Sequence, residues 1–178
     1  PWPSLDSTLG FPYVEDVTSY FSFYYCRDAG VTGTSDDLPA LDDPVNVTSS
    51  SSDLIEELIF KVTGISDAIG VRVGRNSDYD SPTAWVEDQE FTGLFSETTL
   101  DGYPAVESGT TLYTAAANQN KTTIYPNIYV VSYNEDAGEE SLEIFSQILE
   151  NWEFNANDDF VTDVNLCSDV DGYVVTTE

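Results

Sequence analysis

Four oxygen-bearing side chains fall close together near the C-terminus: Asp163, Asn165, Asp169 and Asp171, the last followed by Gly172. Calcium takes about six to eight oxygens from carboxylates, amides and carbonyls in such loops, so this turn-prone stretch is a candidate cation site. Cys167 interrupts the run, and the helix–loop–helix frame of an EF-hand is missing around it. Asn76, Asp78 and Asp80 form a second, poorer set. A solvated turn is the commoner role for runs of this kind. Calcium or another cation is therefore an option for the chain, and no cofactor is required.

Cys26 and Cys167 are the two cysteines, too few for a disulfide framework or a zinc site. They either pair across most of the chain or sit apart as buried thiols, a common place for cysteine. Asn46-Val47-Thr48 and Asn120-Lys121-Thr122 are glycosylation sequons in loop-like stretches, relevant only to an extracellular protein. The block Tyr20, Phe21, Phe23, Tyr24 and Tyr25 offers an aromatic surface. A strand apolar on both faces is more often sandwiched in a core or a subunit contact than used as a ligand platform.

The chain has 33 Asp and Glu against five Lys and Arg, a net charge of −28, over 178 residues. Its cations are Lys61, Lys121, Arg27, Arg72 and Arg75. Nucleic acids and anionic membranes are poor partners, because phosphate binding needs clustered cations. The lack of histidine excludes imidazole acid–base catalysis, Ser-His-Asp and Cys-His nucleophiles, and histidine-ligated metals. With so many carboxylates, any pair at glycosidase spacing is weak evidence of catalysis, and the expectation is a protein that is not an enzyme. Scarce lysine with abundant aspartate resembles proteins of extreme halophiles, where salt screens the self-repulsion. Hydrophobic residues make up 40%, enough for a core. No apolar run approaches the roughly 18 residues of a membrane span. A start at Pro1 fits removal of either a signal peptide or an initiator methionine.

The elements that would position these residues follow from pattern. Residues 1–17 carry three prolines and read as an extended arm, and residues 18–26 as an aromatic strand. Residues 28–52 are rich in Gly, Pro, Asp and Ser, without period, and read as a linker. Leu54, Ile55, Leu58, Ile59 and Val62 fall on one face of a helix, with Ser52 or Asp53 as its cap and Gly64 as its end. Residues 69–74 alternate as a strand, 76–82 turn, and 82–95 supply one or two strands. Asp101-Gly102 marks a turn. Residues 111–117 and 122–133 form a hairpin with its turn at 118–121, and Pro126 forces a bulge or an edge. Phe145, Ile148, Leu149 and Trp152 define a second helix, with Asp136 and Glu139 as a capping box. Residues 160–166 and 172–178 close as a strand pair. The expected fold is α+β, a mostly antiparallel sheet with two helices packed on one face, plus an extended N-terminal arm. The expected division is an arm, aromatic strand and linker at 1–52 and a sandwich domain at 53–178.

The segments DLIEELIFKVTGISDAIGVRVGRN, SPTAWVEDQEFTG and TIYPNIYVVSYNEDAGEESLEIFSQILENW are similar, in element order and hydrophobic pattern, to tail-terminator and tail-completion proteins of tailed viruses. That resemblance implies a non-enzymatic ring subunit at the joint of tail and head. Its partners would be copies of itself and neighbouring structural proteins, in a virion or extracellular high-salt setting. The stretch LDGYPAVESGTTLYTAAANQNKTTIYPNIYVVSYNEDAGEESLEIFSQILENWEF also resembles the closing half of PsbP- and Mog1-like domains. That likeness implies a secreted or cell-surface accessory or binding domain, with or without calcium. In the first case residues 1–17, with Trp2, Leu5, Leu9, Phe11 and Tyr13, are expected to lie in a groove of another chain, because ordering an isolated arm costs about 1–2 kcal/mol per residue.

Overall fold

A computed structural model of the chain describes residues 13–15, 21–26, 38–48, 51–116 and 127–154. Its strands are β1 (Tyr13–Glu15), β2 (Phe21–Tyr24), β3 (Val45–Asn46), β4 (Leu54–Lys61), β5 (Ala68–Arg75), β6 (Ser96–Leu100), β7 (Tyr103–Ser108), β8 (Thr111–Ala116), β9 (Asn127–Tyr133) and β10 (Glu153–Phe154). The helices are α1 (Pro82–Asp88) and α2 (Glu139–Glu150). Seven strands form one antiparallel sheet in the order β3-β4-β5-β9-β8-β7-β6, and β1-β2-β10 form a smaller one. The fold is α+β and mostly sheet, as expected.

The first expected helix is strand β4. Its side chains alternate inward at Glu56, Leu58 and Phe60, and outward at Glu57, Ile59 and Lys61. Ile59 on the outer face is itself half-buried, and Ile55, at a bulge between Leu54 and Glu56, packs against the core, so the polar–apolar alternation is blurred and the spacing imitates a helix. The full-length pairing of β4 with β5 decides between the two, because every residue from Glu56 to Lys61 gains a ladder partner. The expected strand at residues 82–95 begins instead as α1. Ser81 caps it by accepting a hydrogen bond from the Ala84 N–H at 3.2 Å, and Pro82 occupies the first turn. Proline suits that position because its missing N–H has no intrahelical partner there in any case.

The helices lie on opposite faces of the large sheet rather than on one. Trp85 of α1 packs on Tyr113, which shares a face with its ladder neighbour Val130. Phe145 of α2 packs at 4.6 Å on Tyr133, which shares the other face with Tyr129 and Val131. This second, inner face holds the main core. Ile69, Val71, Val73, Tyr129 and Val131 meet Ile144 and Ile148 of α2. Beside α2 the small sheet covers the rest, through Phe23 against Phe60 and Phe154 against Tyr129. One core thus takes in Phe21, Phe23, Tyr25, Leu38 and Leu41 together with residues beyond position 53. The aromatic block is core where it is described: Phe21, Phe23 and Tyr25 are buried, and the Tyr25 hydroxyl bridges Pro39 O and the Leu41 N–H.

Residues 13–15 of the arm pair with β2 of the same chain, and the remainder of the arm lies outside the described residues. So do Pro126, the 118–121 turn and the closing strand pair of residues 160–178. The hairpin of β8 and β9 is present, in the register Thr111↔Ser132 to Ala116↔Asn127. The Asp101-Gly102 turn joins β6 to β7, with φ of 47° and 76°, the left-handed pair that a two-residue hairpin demands and that glycine adopts at no steric cost. Among the described residues, no helix is long and apolar enough to cross a membrane.

The N-terminus of α2 is capped in a way the local sequence conceals. Gly138 stands at the cap and has no side chain to offer, so the Asp136–Glu139 capping box does not form. Instead Asp67, just ahead of β5, accepts hydrogen bonds from the Gly138 N–H at 3.0 Å and the Ser141 hydroxyl at 2.6 Å. These bonds hold its carboxyl below the usual carboxylate range, with Ser141 the larger cause and burial opposing. The arrangement ties the inner helix to β5, an interior strand of the sheet.

Candidate functional site

The outer face of the sheet is only partly covered. α1 and the loop after it lie over β7 and β8, leaving a groove of about 460 Å³ alongside. Its floor is made by strand residues that point outward: Arg72 and Gly74 of β5, Ile128, Val130 and Ser132 of β9, and Thr111 and Tyr113 of β8. One wall is Trp85, Asp88, Gln89 and Phe91. The end is closed by Asp53, Arg75 and the loop from Asn76 to Asp80.

The aromatic wall is a packed cluster. Trp85, Phe91 and Tyr113 lie with ring centroids 5.7–6.1 Å apart, and Phe91 keeps 44% of its surface exposed. Burial pushes the Tyr113 phenol up from its ordinary pKa, against the opposing pull of Thr111 and Arg72. Its hydroxyl therefore keeps its proton at neutral pH and can both donate and accept.

The loop at the end of the groove is braced from within. The buried Asn76 side chain donates to Asp80 O at 2.8 Å and accepts from the Asp80 N–H at 3.1 Å. Between them Tyr79 is held at φ 58°, a left-handed conformation that costs a bulky residue free energy. The brace fixes the backbone at Asp80. It also commits the Asn76 amide to the backbone of Asp80, and Asn76, Asp78 and Asp80 all line the groove. Among the described residues, no three His, Cys, Asp or Glu side chains converge as a metal site.

Two of the described cations, Arg72 and Arg75, line the groove. Lys61, Arg72 and Arg75, the basic residues among those described, all lie on β4 and β5. Arg72 pairs through Nε with Glu57 across the strands at 2.5 Å, yet its side chain stays 61% exposed. Arg75 donates from Nε to Ser52 O at 3.3 Å.

Of the other expected sites, Asn46 lies on the edge strand β3, exposed, and donates to Glu56 Oε1 at 3.2 Å. Cys26 is buried, is not a free thiol, and its N–H donates to Gln147 Oε1 at 2.8 Å. Cys167, Asn120 and the candidate cation ligands Asp163, Asn165, Asp169 and Asp171 lie outside the described residues. Of the groove residues, spacing singles out Asn76, Asp78 and Asp80; the others were missed. A signal for those others is that a chain so poor in cations places two arginines three positions apart, at 72 and 75. Nothing local links these to Trp85, Phe91 or Tyr113, which reach the groove through the order β5-β9-β8 and the crossing of α1. No protein-family model, no curated protein and no solved structure matches the chain.

Proposed function

We propose that the protein is a non-enzymatic binding domain of a high-salt, extracellular setting, and that the groove on the outer face of its sheet holds the ligand. The observation that carries this reading is the groove itself. A concave site of this size, with an aromatic wall and polar groups of both signs around it, is the usual form of a small-ligand site. The chain has no histidine to serve as an imidazole acid or base, which suits holding a ligand better than transforming it. Thermal unfolding with candidate ligands tests the proposal. A ligand that binds only the folded state raises the melting temperature with concentration, and it should do so in the native chain but not in Trp85→Ala. Equal shifts in both proteins would place binding elsewhere, and a ligand recovered chemically changed would make the domain an enzyme.

A second reading, a virion tail or connector subunit that forms homo-oligomers, draws support from the far edge of the sheet. Strand β6 has a neighbour on one side among the described strands, its Ser96–Thr99 side chains are exposed, and Leu94 just before it is 93% exposed. Edges of this kind pair with other chains unless guarded. Light scattering in 3 M KCl should then show an oligomer that Thr98→Pro breaks. A monomer would remove this reading.

A further inference from the structure

We propose that the ligand of the groove is a neutral saccharide; this inference deepens the binding-domain reading and rests on it.

The first argument is the mixture of hydrogen-bonding groups. Arg72 and Arg75 only donate, whereas the carboxylates of Asp53, Asp78 and Asp88 accept. An anionic ligand would meet the aspartates, and a cationic one would meet the two arginines. A hydroxyl both donates and accepts, so a polyhydroxyl ligand satisfies both sets without opposing either.

The second argument is the aromatic wall. Sugar rings carry apolar C–H faces as well as hydroxyls, and such faces pack on aromatic rings. Trp85 and Phe91 supply such rings beside the polar end, with Phe91 still substantially exposed. A groove with one aromatic side and one side of fixed donors and acceptors matches a ring with one apolar face and a polar rim.

The third argument is the field of the whole chain. At −28, and in a medium whose salt shrinks the Debye length to ~3 Å at 1 M, long-range attraction does little for recognition. Contact-range hydrogen bonds and stacking survive those conditions. The braced 76–80 loop adds preorganisation, since its backbone is already held at Asp80.

The test is isothermal titration calorimetry in molar KCl on the intact chain. The probes are neutral hexasaccharides of glucose, mannose, galactose and N-acetylglucosamine, with spermine and tripolyphosphate as cationic and anionic comparators. At least one hexasaccharide should bind, with an affinity that changes by less than about threefold between 1 and 3 M KCl. Trp85→Ala should weaken it about tenfold or more, as should Arg75→Gln and Asp88→Asn, two exposed positions whose replacement leaves the core untouched. If no hexasaccharide binds, the saccharide assignment is overturned. Should spermine or tripolyphosphate bind instead, with loss in Arg75→Gln or Asp88→Asn, the groove remains a binding site for another class of ligand. A hexasaccharide that binds all three variants as well as the native chain sinks the assignment and the groove reading together.

Discussion

Asp67 shows how one side chain joins two levels of structure. It lies just before β5 and closes the N-terminus of α2 across 71 and 74 residues of sequence. The ionised carboxylate is the form that accepts both hydrogen bonds, so the fold lowers its pKa. The sign follows: the contribution is complete above the unfolded carboxylate value, about 4, and is lost as pH falls through the lowered folded value. Asp67→Ala should lower the melting temperature at pH 7 by roughly 2–8 °C, the range for a lost helix cap in a chain of this size. The gap between native and variant should close as pH drops below about 4. Melts run from pH 7 to pH 3 check this; a gap independent of pH would show that the charge on Asp67 has no part in the cap. No sequence rule finds Asp67, because helix-capping rules look within a few residues and this cap arrives through the sheet.

Among the elements, what was legible tracks how strictly each one repeats. The helix α2 buries Ser141, Ile144, Phe145 and Ile148 on a single stripe, and the spacing announces it. Strand β5 alternates, with Ile69, Val71 and Val73 inward, and reads correctly as well. Strand β4 does not read, because outward-facing Ile59 is half-buried, Ile55 packs on the core at a bulge and Glu56 turns inward toward Asn46. Helix α1 was hidden by its β-forming residues Trp85 and Val86, although Ser81-Pro82 is a start signal that outranks them. The N-terminal segment read as a separate arm because its linker has no pattern, yet its aromatic strand completes the core. Phe23→Ala should therefore cost about 3–5 kcal/mol of stability, the usual loss for a buried phenylalanine. Denaturant titration measures it. A loss under about 1 kcal/mol would mean that β2 is an appendage and that the domain stands without it.

For the whole molecule the dominant fact is charge. The 33 acids and five bases leave a body that repels itself in dilute buffer. The ion pair of Arg72 with Glu57 is exposed and offsets little of this. Raising KCl from 0.1 to 3 M should increase the melting temperature by roughly 10 °C or more, through screening of the carboxylates. A flat or falling curve would refute the proposed halophilic setting. The charge itself is legible from composition at once. The groove was not legible, because it exists only where the sheet order sets β5 beside β9 and β8 and α1 covers part of that face.

The most direct measurement of the central claim is a nuclear magnetic resonance titration of the isotopically labelled chain in 2 M KCl, with the tightest-binding probe from calorimetry. A binding domain that works through its outer face should show shifts confined to the backbone around Arg72–Arg75, Asn76–Asp80, Trp85–Phe91, Thr111–Tyr113 and Ile128–Ser132. The probe should be recovered intact. Shifts centred instead on α2 and the small sheet, or a probe converted during the titration, would contradict the account.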